Sequence, residues 1–386
     1  MSKVLFQFKR TYFLFYFTMA IFWAFIVPYL KSLGMNNTYI GIIASLMILS
    51  GVVGQFVTGY ICDVKGTIKK IFIISMIILS ISIIFFFQSQ NSTYMMVFIV
   101  IIGFFQSSAM GLTDSWVLES DSEIKENFGG IRALGSAGWG ISAILVGSLI
   151  DRMGWDIIYV LYGIMTILLL GALYNMKDAK GDKVNLTEGV TFKDIKELLI
   201  NKSYVHLLVI LFLLFSGLHA AGTFSPIIIQ NYGGAKFHVG LYLFVAATSE
   251  IPMLFYAKRL KVKYKLTALL VFAALAMAIR MVLVAYSNSI AAVVSLGAMQ
   301  FITFSIIVFI SKYLIDEVSP PKTKTMAQMV GMAIYHGLSG IFSTSLSGWL
   351  SDNIGMKGML LFQAGLSFVA IILSLRYHYN RWKILR

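Results

Sequence analysis

The chain has 386 residues, 58% of them hydrophobic and only 12% charged, with 30 Phe and 32 Gly. Soluble domains carry roughly 25% charged residues, so this composition excludes a soluble globular protein and points to a polytopic membrane protein. The formal charge of +14 does not mark a nucleic-acid partner, because the basic residues sit in short loops between apolar runs, and the one cysteine, Cys62, excludes an internal disulfide.

About 20 apolar residues cross a bilayer as a helix. By that rule the chain reads as twelve spans, over 11–31, 39–62, 71–88, 94–118, 131–150, 157–175, 204–229, 238–257, 266–286, 290–315, 325–350 and 358–375. The first follows Lys3, Lys9 and Arg10, as in a signal peptide. It is too long for that, and a second span follows at once, so it is read as a retained helix. Cytoplasmic loops are rich in Lys and Arg. With the N-terminus inside, only Lys31, Arg152, Lys236 and Lys357 of the 31 basic residues fall outside, and Arg132 and Arg280 fall within spans. Both termini are then cytoplasmic and the membrane is the cell membrane.

Between spans 2 and 3 stands "GYICDVKGTIKK", with Gly59, Asp63, Lys65, Gly66 and Lys69. A glycine near a helix end admits a neighbouring helix. Asp63 at the membrane edge can pair with basic groups or cap a helix. An ordinary positive-inside turn has the same composition.

Asp114 ends span 4 and Arg132 opens span 5. At ~1.5 Å per residue, Arg132 lies about 28 Å from Asp151 at the outer end of its span, and Asp114 about 30 Å from the outer start of span 4 at Tyr94. The two charges therefore share a depth on consecutive antiparallel spans. Either they face one another, or both snorkel to water at the inner interface. Gln106, Trp23, Gln55, Trp116, Tyr29 and Gln300 are further polar or aromatic groups able to line a cavity, or to pack between helices.

The longest hydrophilic stretch, 176–203, divides the chain into six-span halves over 1–175 and 204–386. Within it "FKDIKELLI" reads as a short surface helix or a solvated linker. Two pairs of segments repeat at a separation of roughly 200 residues, the length of one helical half. "GSLIDRMGW" resembles "GWLSDNIGM", aligning Gly147, Leu149, Asp151 and Gly154 with Gly348, Leu350, Asp352 and Gly355. "VPYLKSLGMNNTYIGI" resembles "SPIIIQNYGGAKFHVGL", aligning Pro28 with Pro226 and Gly41 with Gly240.

The second half places Glu250, Arg280, His219 and His336 inside spans. Intramembrane ionisable groups mark solute and proton pathways, although a permanent Glu250–Arg280 ion pair and two core histidines account for the same residues. The five histidines show no metal spacing.

Twelve spans in two parallel repeats, with the 59–70 loop, resemble the major facilitator superfamily. That resemblance implies an all-α fold of two six-helix halves, and a cytoplasmic loop that latches the halves. The signature arginine of that loop is missing here. The stretch from Asp114 to Trp139, with its F-G-x-x-R-x-x-G-x-x-G-W frame, resembles the sugar site of the lactose permease and its oligosaccharide–proton symporter relatives. The same frame suits related nucleoside and phenylpropionate symporters. The resemblance implies that Asp114 and Arg132 grip hydroxyls and that Trp139 stacks on a ring. Glu250 and Arg280 match an acid and an arginine of the same clan. Its titratable pair on span 10 is replaced here by Gln300 and Thr303.

The expected function is proton-coupled transport of a small polar solute by a monomer in the lipid bilayer, without a cofactor or metal. Glu250, Arg280, His219 and His336 would form the proton-coupling network. Alternatives are an exporter of drugs or a metabolite, and a uniporter. A membrane enzyme or sensor is disfavoured, because there is no nucleotide loop and no soluble domain of useful size.

Overall fold

The computed structural model describes residues 2–179, 192–320 and 323–384. Residues 180–191 of the predicted linker, with Lys322 and Arg386 of the predicted inner loops, lie outside the described residues. The described residues form helices and no strands. In chain order these are α1 (Lys3–Trp23), α2 (Ile26–Ser32), α3 (Asn37–Lys65), α4 (Lys69–Phe86), α5 (Ser92–Leu118), α6 (Ser122–Glu126), α7 (Phe128–Met153), α8 (Ile157–Leu173), α9 (Phe192–Ile200), α10 (Lys202–Asn231), α11 (Lys236–Lys263), α12 (Leu266–Ala285), α13 (Ile290–Leu296), α14 (Phe304–Val318), α15 (Lys324–Met332), α16 (Ser339–Asn353) and α17 (Gly355–Ile384). A 3-10 turn, Gly297–Phe301, joins α13 to α14, and a π-helical turn, Ala333–Leu338, joins α15 to α16.

Every predicted span falls on helix. Among the described residues, nine helical segments are long and apolar enough to cross a bilayer, and α8 is shorter, with 17 residues. Their outward faces are apolar: Leu49, Val53, Phe56 and Tyr60 line one exposed stripe of α3. Backbone polar groups in hydrocarbon must be satisfied within the segment, which helices do. The "FKDIKELLI" segment is helical, as α9, with Leu198 buried.

The chain divides into two compact units. The first comprises Met1–Met35, Leu46–Asn185 and Ile229–Ile251; the second comprises Asn36–Ser45, Leu186–Ile228 and Pro252–Arg386. In the first, α1 packs on α7 and α8, and α4 on α5. Small residues bring α1 and α7 together: a Cβ on Gly138 would collide with the carbonyl oxygen of Phe13, and Ser142 Oγ donates to the Phe17 carbonyl at 2.8 Å. In the second, α12 packs on α17. Gln363 of α17 accepts from Ser216 of α10 at 3.1 Å and donates to Ser347 of α16 at 2.9 Å. Such polar pairs between helices stand in for the hydrophobic drive that lipid removes.

The repeated sequence segments do the same local work. In the first unit, Asp151 accepts from the backbone N–H of Lys236 (3.0 Å) and of Phe237 (2.8 Å), which open α11. In the second, Asp352 accepts from the N–H of Asn37 (3.1 Å) and of Thr38 (2.7 Å), which open α3. The first N–H groups of a helix have no partner of their own, and a carboxylate there also meets the positive end of the helix dipole. One turn earlier, Gly147 and Gly348 leave room for those first turns, the Lys236 and Asn37 carbonyls lying where a Cβ would stand. Gly154 and Gly355 then end α7 and α16 in the left-handed region, at φ 83° and 79°. Replacing Asp352 by Ala removes such a cap, so stability should fall by about 1 kcal/mol, measured by thermal unfolding in detergent.

Candidate functional site

The predicted acid and arginine both lie in the first unit, on α5 and α7, and both are half-buried. They form no ion pair with each other; among the described residues the ion pair found is Arg381–Glu317. Two tyrosines of α1 stand with them instead. The Tyr12 hydroxyl donates to Asp114 Oδ1 at 2.8 Å and lies 3.0 Å from the Thr113 carbonyl oxygen. The Arg132 guanidinium sits over the Tyr16 ring, 4.4 Å from its centroid. The two rings are 5.8 Å apart.

Arg132 has five N–H donors, and none finds a hydrogen-bond acceptor among the described residues. Its electrostatic neighbours are Tyr16, Asp114, Glu250 and Tyr12. The site is therefore a guanidinium resting on a ring, a carboxylate tied at one oxygen, and a second carboxylate within electrostatic reach. Groups of this kind can donate to and accept from a polyol at the same time. Trp139 shares the Arg132 face of α7, two turns on, and is half-buried.

The other predicted groups fall in varied places. Gln106 is buried at 3% exposure, whereas Trp23 is 40% exposed. Trp116 is a core residue, edge-on to Phe8 and Phe72 and donating to the Lys177 carbonyl at 3.2 Å. Gln55 donates to the Ser107 carbonyl at 3.2 Å.

In the second unit, Arg280 is 2% exposed and donates to Gln300 Oε1 at 2.8 Å and Thr303 Oγ1 at 3.0 Å. The 3-10 turn carries Gln300, so the break in the helix serves the arginine. Replacing Gln300 by Leu strands part of a buried charge. We expect a loss of about 1–3 kcal/mol, seen as a lower unfolding temperature. His219 Nε2 lies 3.1 Å from the His336 carbonyl oxygen, and the two rings meet edge to face at 4.9 Å. Phe215 and Tyr335 pack beside them. His336 belongs to the π-helical turn, a feature that often accompanies function.

At the 59–70 loop, Gly66 ends α3 in the left-handed region at φ 61°. Among the described residues, a Cβ on Gly59 would meet nothing within 4 Å. Asp63 and Lys65 are exposed. The start of α4 is capped by Asp178. Its carboxylate accepts from the N–H of Ile68 (3.1 Å) and Lys69 (2.8 Å), and from the Thr67 hydroxyl. Lys69 Nζ donates to the Met176 carbonyl at 2.7 Å.

Tyr12, Tyr16 and Asp178 did not emerge from the sequence reading. The tyrosines carried one signal: they stand four apart, hence on one helix face, in a segment otherwise dominated by Phe. Asp178 carried none, since it is one acid in a charged stretch.

A profile of the MFS_1 like family matches residues 5–364. A maltose permease of Geobacillus stearothermophilus is 24% identical over 369 residues, covering 95% of this chain and 93% of that one. Among solved structures, a point mutant of the nucleoside transporter NupG superposes with a TM-score of 0.87 at 16% identity, over 97% of this chain and 100% of that one. A D-xylose–proton symporter superposes with a TM-score of 0.75 at 16% identity, over 97% of each chain. The match over nearly the whole length, together with the all-helical fold, places this chain in the MFS_1 like family of major facilitator transporters: it is a multi-pass membrane transporter and not an enzyme.

Proposed function

We propose that this chain carries a small, hydroxyl-rich organic solute across the cell membrane by alternating access, in symport with protons. The observation that carries the reading is Arg132, a charged group of the site whose donors have no acceptor among the described residues, next to a carboxylate that accepts from Tyr12 at one oxygen. Donors left without an acceptor inside a span are costly, and a solute that supplies hydroxyls satisfies them. The similar proteins are named for maltose, nucleosides and D-xylose, all bearing several hydroxyls. In this reading twelve spans form two six-helix halves, 1–175 and 204–386, joined by a cytoplasmic linker, with both termini cytoplasmic and a monomer as the working unit. Asp114, Arg132 and Trp139 bind the solute; Glu250 and the His219–His336 pair are the candidate proton carriers. No metal or cofactor takes part, and the proton gradient supplies the energy.

A second reading has its own support. The partners of Arg280 on span 10, Gln300 and Thr303, do not titrate, as expected of a uniporter. Proteoliposomes given maltose, D-xylose or uridine separate the two. Symport predicts uptake of at least one of them with a rise of external pH. Uptake without that rise makes the protein a uniporter. Failure to take up any of the three overturns the solute class.

A further inference from the structure

We infer that Tyr12 and Tyr16 are positioning residues that hold Asp114 and Arg132 apart, so that both charges stay available to a solute. The inference deepens the transport reading and rests on it. Opposite charges at 4 Å attract by about 4 kcal/mol even at an effective dielectric constant of 20. An acid and an arginine at one depth on neighbouring spans should therefore collapse into an ion pair, and they do not.

The reason lies in α1. Tyr12 is fully buried and Tyr16 nearly so, at 0% and 3% exposure. Each tyrosine takes one of the two charges. The Tyr12 hydroxyl has a single proton, and two acceptors lie in reach: Asp114 Oδ1 and the Thr113 carbonyl oxygen. The ionised carboxylate is the stronger acceptor. When a solute hydroxyl takes over that carboxylate oxygen, the Tyr12 proton has the Thr113 carbonyl to turn to, at 3.0 Å, so the exchange strands no buried donor. Tyr16 acts through its ring. Gly135 provides the slot: a Cβ there would stand 2.7 Å from Tyr16 Cδ2 and 3.3 Å from Arg132 Nη1. The guanidinium is held by a cation–π contact that satisfies its charge but leaves its N–H edges free. The charged and titratable groups around the pair are Tyr12, Tyr16 and Glu250.

The two tyrosines thus work differently, and substitution separates them. In uptake of radiolabelled maltose by proteoliposomes, Tyr12→Phe, which removes only the hydroxyl, should raise KM about tenfold while Vmax stays within about threefold. Tyr16→Leu should do the same, whereas Tyr16→Phe, which keeps the ring, should stay within about threefold of wild type. An unchanged KM in Tyr12→Phe, or a Tyr16→Phe as impaired as Tyr16→Leu, overturns the inference. A solute-free arm stands apart from the transport reading. Melting temperatures are taken for Asp114→Asn, Arg132→Gln and their combination, in wild type and in a Tyr12→Phe/Tyr16→Leu background. In wild type the shifts should come closer to adding, because the two charges there interact without an ion pair. The shifts should depart further from additivity once the tyrosines are gone, because the charges then pair. Equal departures in the two backgrounds refute the inference even if maltose is not carried; failure to carry maltose, with the melting pattern as expected, counts against that solute alone.

Discussion

Asp114→Asn and Arg132→Gln should each reduce solute uptake to about 1% of wild type or less, a loss of about 3 kcal/mol from one charged hydrogen-bonding group. The melting temperature should fall by only a few degrees. The asymmetry follows from what each side chain touches. Among the described residues Arg132 holds no hydrogen bond, and it rests on the Tyr16 ring, so its removal costs the fold one cation–π contact. Asp114 accepts one hydrogen bond from Tyr12, and an Asn carbonyl oxygen can still accept it. Neither change makes a cavity. A solute bound between them loses a charged partner. Uptake in proteoliposomes, with the melting curve of the same preparation, checks the prediction. Transport that survives both substitutions removes the pair from the site.

Gly41→Val and Gly240→Val should each destabilise the protein by about 1–3 kcal/mol, the cost of overpacking a closed contact. The missing Cβ of Gly41 would collide with the Thr344 carbonyl oxygen, and that of Gly240 with the Ala143 carbonyl oxygen. Backbone atoms of a helix cannot turn aside as a side chain can, so the helices must part. Around Gly41 the parting is readable. Ser45 is 7% exposed and its Oγ meets Thr344 Oγ1 at 2.7 Å. A cysteine at Ser45, with Cys62→Ser removing the native thiol, should react with a maleimide about fivefold faster once Gly41 is Val, as a shift of about 1 kcal/mol in local opening gives. Unchanged labelling and melting would show that α3 and α16 do not approach as closely as described.

The two glycines also show how much of this molecule was written in its sequence. Gly41 and Gly240 were paired by a weak repeat, as were Asp151 with Asp352 and Gly147 with Gly348. The repeat was legible because identical local jobs select identical residues: a glycine where two backbones touch, an acid one turn later over bare N–H groups, and a glycine where the helix stops. What the repeat could not show was the partner. Asp352 belongs to the start of α3 and Asp151 to the start of α11, far away in the chain. The loop around Asp63 gives the opposite lesson. The position of the turn was readable, yet the left-handed glycine that makes it and the cap from Asp178 came from the structure.

That the apolar runs form helices was decided by the sequence alone, although of the twelve spans read there nine helical segments among the described residues are long and apolar enough to cross a bilayer. Bilayer thickness sets a length, and hydrocarbon forbids unsatisfied backbone, so a run of about 20 apolar residues has essentially one solution. The expected depth of Asp114 and Arg132 rested on the same rise per residue. Their relation did not. Depth places two charges on a level but says nothing of what stands between them, and only the packing of α1 on α7, through Gly135 and Gly138, brings Tyr12 and Tyr16 to the acid and the arginine. Side-chain partners across helices depend on rotation and close approach, which are tertiary quantities, and no periodicity along one segment encodes them.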